Sequence, residues 1–469
     1  MTAVLLVNLA SLPMPGNDPI FPIGIRCIQD ALERENHRTR LIDFIEDPSA
    51  STDLSWAAEP WDVIGFTIRN IDPVDLSCDG HVTHYETFLA RIREALGHRR
   101  PLLVGGGPGY SLFGPELISR LGFDVGVVGP GEQSMLEIVA DPRKYLGFGQ
   151  NLSGDRYPGF IANSLDHPER LLSAYASRGG SIGVETKRKT CYQGCVYCPY
   201  AYISGDNGGD HKPTGAIVEE LRTAYGSGIR DVFFTDGIFN SELSFAKNVV
   251  RAVTAADLSG LTWSAYFTPK PFDDEFADLL SVSNVGPVII SPDSLDDRVM
   301  RALGKSFDTR HVERFIERCR PRGIKFKVSV VLGGPGETRE SVRATAQWIN
   351  DNLDSEELTL NVGYRVLPET ELARQLGLEN AEILDPTFHP LDPDLFSWVI
   401  GDLDSRFLTT GRMLNLMAGR TSSRKMLKIP LTPGGSPAPQ EGREFVALTR
   451  RMLPIAEVRN GGTENRARC

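Results

Sequence analysis

The chain has 469 residues, 41% hydrophobic and 24% charged, enough for two or three domains of roughly 100 to 200 residues and too apolar for global disorder. Its 50 basic and 61 acidic side chains leave a net charge of -11, the opposite of a nucleic-acid-binding footprint, so no nucleic-acid partner is expected. No apolar run approaches the roughly 20 residues of a membrane span, and residues 1–8 lack the basic and long apolar regions of a secretory signal. The expectation is a cytoplasmic protein with no membrane partner.

Residues 3–8, 38–44, 63–69, 102–105 and 125–128 are short apolar runs that read as strands, and 23–35, 84–96, 115–121 and 133–139 carry helical periodicity between them. This predicts an α/β domain over residues 1–140, a doubly wound, Rossmann-like parallel sheet with ligands beyond the carboxyl ends of its strands. Three of those ends are unusual and are expected on one rim: Arg69-Asn70-Ile71-Asp72, Gly105-Gly106-Gly107-Pro108-Gly109-Tyr110-Ser111, and Gly129-Pro130-Gly131-Glu132. No G-x-G-x-x-G follows the first strand, which weakens a dinucleotide reading.

Residues 141–179, with scattered glycine and proline and no clear period, predict an ordered connector. A second series follows, with strands at 182–185, 232–235, 263–268, 288–291, 325–332 and 358–363 and helical patterns at 215–225, 242–256, 274–280, 309–319 and 341–350. Six β/α units over 180–370 predict an open partial (β/α)6 barrel, with a second doubly wound sheet as the alternative. Residues 371–469 are mixed and aromatic at Phe388, Phe396, Trp398 and Phe407, and predict a region that caps substrate. Within it, residues 432–439 read as a flexible linker and 460–469 as a frayed tail.

Seven cysteines are an odd number for a disulfide framework, and three of them form Cys191-x3-Cys195-x2-Cys198, just after the first strand of the second series. Three thiolates suit either zinc or an iron-sulfur cluster. Zinc wants a fourth ligand, and the nearest histidine, His211, stands at no usual finger spacing.

With Tyr197 before its third cysteine, this motif resembles the signature of the radical S-adenosylmethionine (SAM) superfamily. With the glycine-rich sheet ahead of it, residues 1–370 resemble the cobalamin-binding (class B) radical SAM enzymes. The resemblance implies a 4Fe-4S cluster on Cys191, Cys195 and Cys198 whose open iron chelates SAM. An electron from an external donor of the flavodoxin or ferredoxin type would then release a 5'-deoxyadenosyl radical.

For SAM it implies contacts at Tyr197, at Thr235-Asp236-Gly237 for the amino group, at Ser291-Pro292-Asp293-Ser294 with residues 300–305 for ribose and carboxylate, and at Gly333-Gly334-Pro335-Gly336-Glu337-Thr338 beside adenine. Plainer readings stand beside these: a β/α turn, a helix cap by Ser294 or Asp293, and a tight turn into a capped helix. Gly304-Lys305-Ser306 is no Walker loop, since position 299 is Val.

For cobalamin the resemblance implies close backbone approach at Gly105, Gly106, Gly107, Gly129 and Gly131, with Ser111 and Glu132 nearby. Arg69 and Asn70 resemble the strand end of tryptophan 2-C-methyltransferases, where an arginine lies against the lower face of cobalamin without ligating it. An ion pair between Arg69 and Asp72 is the alternative. Residues 79–84 depart from the Asp-x-His-x-x-Gly pattern of cobalt-ligating mutases.

The implied activity is methyl transfer to an unactivated carbon of a small molecule or peptide natural-product precursor. A non-methylating radical outcome (ring contraction, cyclisation or aminocarboxypropyl transfer) and a non-catalytic metal- or corrinoid-binding protein remain the rivals.

Overall fold

The computed structural model describes residues 1–14, 20–69, 71, 81–154, 164–178, 181–188, 191–204, 210–390, 402–404, 407 and 415–416. Asn70, Asp72, Phe396, Trp398, the 432–439 segment and the 460–469 tail lie outside the described residues.

The first sheet contains β1 (Ala3–Asn8), β2 (Arg38–Asp43), β3 (Val63–Thr67), β4 (Leu102–Gly106), β5 (Val125–Val128) and β6 (Gln150–Ser153), in the order β2-β1-β3-β4-β5-β6 and parallel throughout. A parallel sheet must be covered on both faces, and β1 shows how. Val4 and Leu6 pack with Ile25, Leu32 and Ile138 from the helices Ile23–Arg34 and Glu132–Ala140. Leu5 and Val7 pack on the other face with Tyr85, Phe88 and Leu117 from His81–Leu96 and Gly114–Leu121. Strand order reverses between β1 and β3, which opens a crevice at their carboxyl ends.

The second half adds β7 (Ile182–Val184), a small antiparallel pair β8 (Lys187–Arg188) and β9 (Asp210–His211), then β10 (Asp231–Phe234), β11 (Thr262–Phe267), β12 (Val288–Asp293), β13 (Phe326–Leu332), β14 (Leu358–Val362) and β15 (Asn415–Leu416). The large sheet runs β7-β10-β11-β12-β13-β14-β15, all parallel. Its strands follow chain order with no reversal, so it has no switch point of the doubly wound kind. That topology is the partial barrel, and the second doubly wound sheet is excluded.

Two expectations need correction. The 141–179 stretch is not only a connector: β6 joins the first sheet as its sixth strand, and Glu169–Ala176 is a helix. Gln-Asn-Leu-Ser is a polar, half-exposed edge strand and so carries no apolar run to reveal it. The barrel sheet also gains a seventh strand, β15, from the C-terminal region.

The halves share buried contacts. Phe21 packs edge-on against Tyr175 at 5.4 Å, and the Tyr175 hydroxyl donates to Asp43 at the end of β2 (2.9 Å). Val196, inside the cysteine motif, sits in the cluster that includes Leu9, Leu12 and Tyr364.

Candidate functional site

The crevice at the first sheet's carboxyl edge is a cavity of about 1130 Å³, counting its open mouth. The ends of β3, β4 and β5 supply one wall, with Thr67, the 105–107 glycines, Ser111 and the 129–132 turn. Two of the three expected strand ends, 105–111 and 129–132, therefore share one rim, while Arg69 and Ile71 of the third do not line it.

Their glycines do different things. A Cβ on Gly105 would lie 2.3 Å from the Phe123 ring, and one on Gly107, at φ 101, would lie 2.5 Å from the Thr67 hydroxyl; the protein's own packing requires both to be bare. A Cβ on Gly106 would meet nothing closer than 3.7 Å. Gly129 holds φ 93, and Gly131 would meet Ile28 at 3.3 Å. The Ser111 hydroxyl ties the rim together, donating to Gly107 O (2.9 Å) and accepting from Gly129 N–H (3.0 Å).

The opposite wall comes from the second half: Glu185, Arg188, Tyr200, Ile203 and Ser204. Arg188 donates to Glu132 across the junction (2.5 Å) and to Glu185 (3.0 Å). Desolvation opposes its charge, yet Glu185 and Glu132 hold its pKa well above the ordinary value. Burial raises the Glu185 carboxyl against the pull of Arg188. Arg69 follows Thr67 on β3 but does not form part of this wall; desolvation lowers its pKa, with Tyr266 of β11 acting the other way. Asn70 and Asp72 lie outside the described residues, so neither the Asn70 assignment nor the Arg69–Asp72 pair is tested.

The cysteine loop is fastened at several points. Val196 N donates to Leu303 O (3.1 Å), Leu372 N donates to Val196 O (2.8 Å), and the Gln193 side chain accepts from Ser306 N (3.1 Å) and Ser306 Oγ (2.9 Å). Gly304, at φ 76, lies so close to Gly194 that a Cβ would sit 2.0 Å from its carbonyl oxygen. The Gly304-Lys305-Ser306 turn thus has a use that its failed Walker pattern did not suggest: it is the backing of the cysteine loop.

Desolvation raises the thiols of Cys191 and Cys198, the latter to about 11, and neighbouring cysteines of the motif add to each shift. Among the described residues no group of three or more His, Cys, Asp or Glu is gathered as a metal site. The donor set still fits a soft metal: three free thiols on one braced loop, close enough to act on one another, which metal binding would deprotonate and draw together. Cys27 and Cys319 are buried elsewhere.

Asp236 is fully buried and already engaged, accepting from Thr186 N (3.0 Å), Thr186 Oγ1 (2.5 Å) and Lys187 N (3.2 Å). It braces the strand leading to the cysteine loop and acts on the site through that backbone. Gly237 lets the Tyr200 ring close in, since a Cβ would lie 2.7 Å from it.

Ser291 is half-buried on β12. Asp293, at φ 64, pairs with Lys305 (2.5 Å) and accepts from the Tyr197 hydroxyl, which itself accepts from Lys305 (3.0 Å). Neither Ser294 nor Asp293 caps the following helix: Asp296 does, accepting from Arg298 N and Val299 N. Thr338 caps the helix after the glycine turn, as the plainer reading of that turn has it.

Gly334 makes room for Tyr364, whose ring a Cβ would approach to 2.8 Å; Tyr364 in turn lies 4.9 Å from the Tyr197 ring. Gly333 N donates to Glu337 (2.5 Å), while the other Glu337 oxygen is buried with no protein partner. Burial pushes Glu337 up to about 7. Tyr197, Asp293 and Gly334 therefore converge, whereas Asp236 and Gly237 lie on the side of Tyr200.

Sequence reasoning missed Arg188, Glu185, Tyr200, Lys305 and Tyr364. Lys305 stood inside a segment already singled out, and Arg188 just ahead of the cysteines; their charges found partners only through the fold.

Residues 189–349 match the Radical SAM superfamily. The chain is 25% identical to tryptophan 2-C-methyltransferase of Streptomyces laurentii over 461 aligned positions, spanning 80% of this chain and 74% of that one. It is 22% identical to an uncharacterized methyltransferase of Pyrococcus horikoshii, spanning 73% and 76%. Its fold matches that of the radical SAM methyltransferase TsrM from Kitasatospora setae, solved with cobalamin and a [4Fe-4S] cluster, at a TM-score of 0.68, with 24% identity and 80% and 76% coverage. It also matches that of the cobalamin-dependent SAM radical enzyme OxsB at 0.63, with 12% identity and 76% and 52% coverage.

Proposed function

Residues 189–349 are a radical SAM domain, and from that premise we propose that the chain is a cobalamin-dependent radical SAM methyltransferase acting on an unactivated carbon of a small molecule or peptide natural-product precursor. One observation carries the reading: the glycine-rimmed cavity of the first sheet has Tyr200, Ile203 and Ser204 as its far wall, and these residues follow directly on Cys198. A cofactor in that cavity and a cluster on the cysteine loop would share one boundary. The two methyltransferase relatives align over 80% and 73% of this chain, well beyond the 189–349 match alone.

When bound, the 4Fe-4S cluster, S-adenosyl-L-methionine and cobalamin supply electron transfer, sulfonium chemistry and methyl carriage; the chain's work is to hold them and exclude water. Cys191, Cys195 and Cys198 hold the cluster. Tyr197, Gly237, Ser291, Asp293 and Gly334 border SAM, and Asp236 keeps the 186–187 backbone in place behind it. Gly105, Gly106, Gly107, Ser111, Gly129, Gly131 and Glu132 border cobalamin, with Arg69 and Asn70 at the neighbouring strand end. In domain terms, 1–140 together with β6 carries cobalamin, the rest of 141–179 connects, 180–370 together with β15 carries SAM and the cluster, and the rest of 371–469 closes over substrate.

Among the described residues no helix is long and apolar enough to cross a membrane. A cytoplasmic location and a flavodoxin- or ferredoxin-type electron donor complete the reading.

The test is anaerobic reconstitution followed by incubation with isotopically labelled SAM and a panel of metabolites encoded by neighbouring genes. A product heavier than its precursor by one labelled methylene supports methylation. SAM cleavage with an altered product of unchanged carbon count would favour ring contraction or cyclisation. Zinc bound in place of iron and sulfide, with no SAM turnover, would overturn the proposal.

A further inference from the structure

Lys305 is a buried ammonium whose surroundings are fully specified. Its side chain is only 4% exposed, and that of its partner Asp293 3%, so neither charge is screened by water. One contact goes to Asp293 (2.5 Å) and one to the Tyr197 hydroxyl (3.0 Å), and Tyr197 stands between Cys195 and Cys198 in the cysteine loop. Tyr197 closes the triangle by donating to Asp293, so the lysine cannot swing away without breaking two other contacts.

The backbone fixes the same relation: Lys305 N donates to Met300 O (3.0 Å), and Gly304 lies directly against Gly194 of the cysteine loop. Burying two opposite charges costs several kcal/mol per ion before pairing. Closing a helix onto a loop does not require that expense, so the pair has another use.

We propose that Lys305, held by Asp293 and Tyr197 against the cysteine loop, is a positioning residue that sets the reduction potential of the cluster bound by this loop, the ammonium raising it and the Asp293 carboxylate lowering it. The inference rests on the reading that the three cysteines hold a 4Fe-4S cluster. Its physics is general: a nearby positive charge stabilises the electron that reduction adds, and a nearby negative charge does the reverse. Both charges touch the Tyr197 hydroxyl of that loop, so the two should act with opposite sign.

The experiment is a mediated dithionite titration of the anaerobically reconstituted full chain, without SAM or cobalamin, followed by electron paramagnetic resonance of the reduced cluster. Lys305→Met should shift the oxidised-to-reduced ratio at the wild-type midpoint at least tenfold toward oxidised, a fall of 59 mV for one electron. Lys305→Arg should return most of that shift. Asp293→Asn keeps a side chain that tolerates left-handed backbone at φ 64, and should move the midpoint upward.

A Lys305→Met protein with full cluster content and an unchanged midpoint overturns the inference, as do shifts of the same sign in Lys305→Met and Asp293→Asn. If Lys305→Met takes up no cluster, Asp293→Asn decides alone, and an unchanged midpoint there sinks the idea. A wild-type chain that takes up no iron and sulfide instead overturns the functional reading beneath it.

Discussion

The two strand-end rims of this molecule are built from opposite materials. The first sheet ends in glycines around a cavity of about 1130 Å³, and its few polar side chains, such as Ser111, are spent on tying that rim together. The second sheet ends in Asp236, Asp293, Lys305, Tyr364 and Glu337, all packed into direct contacts. A rim of bare backbone suits a large flat ligand that must come close. A rim of buried charges suits a small charged ligand and a cluster whose electronics must be tuned. The difference teaches that the first site is shaped by what was left out, the second by what was put in.

Arg188 joins these rims, and its removal should have the largest effect. Arg188→Ala strands Glu132 and Glu185 in a buried junction, which should cost about 3 to 5 kcal/mol. Urea unfolding would read it as a lowered midpoint, and cobalamin uptake should fall with it. If the unfolding free energy falls by less than about 1 kcal/mol, the two halves do not depend on this clasp. Arg188→Lys, which keeps the charge but not the fork, should lie between.

Glu337 sharpens the comparison on the second rim. Burial raises its carboxyl to about 7, above the ordinary 4.3 or so of an unfolded chain. A raised carboxyl favours the fold below the unfolded value and loses that contribution as pH rises through the folded one. The window is therefore about pH 4 to 7, over which roughly 3 kcal/mol should be lost. Glu337→Gln keeps an acceptor for Gly333 N–H and cannot ionise. Relative to wild type, it should grow more stable between pH 5 and pH 8 in urea titrations. Parallel pH profiles for the two proteins would show that Glu337 is not the group responsible.

Much of this was legible in the sequence. Glycine runs at strand ends and the three-cysteine spacing announced both rims, because tight turns and metal ligation restrict residue type at fixed positions. The chain-order alternation of strands announced two parallel sheets. What stayed hidden was of two kinds. The edge strand β6 carries no apolar run, since its Gln-Asn-Leu-Ser side chains are exposed or half-exposed. The charged contacts Arg188–Glu132 and Lys305–Asp293 join residues far apart in the chain, and no local period records them. Asp236 shows a third limit: the motif located it, but only the structure revealed that its oxygens were already taken by Thr186 and Lys187.

The first rim can be tested at two adjacent glycines. Gly105 is bare because Phe123 fills the place of its Cβ, at 2.3 Å. Gly105→Ala should therefore force that ring or the strand to move, costing about 1 to 3 kcal/mol and weakening cobalamin binding only as a consequence. Gly106 is different: a Cβ there meets nothing nearer than 3.7 Å, and the residue lies in a strand with no positive φ. Protein packing gives no reason for it to be glycine, yet it lines the cavity. Gly106→Ala should leave the unfolding free energy within about 0.5 kcal/mol of wild type and still weaken cobalamin binding severalfold, because the methyl occupies space that a ligand lying on the strand end would use. Equal stability with equal affinity would mean that the ligand does not approach this strand. Gly106→Val should then be harmless as well, and the cavity's purpose would have to be sought at Gly129 and Gly131, where the second glycine turn meets the Arg188 clasp.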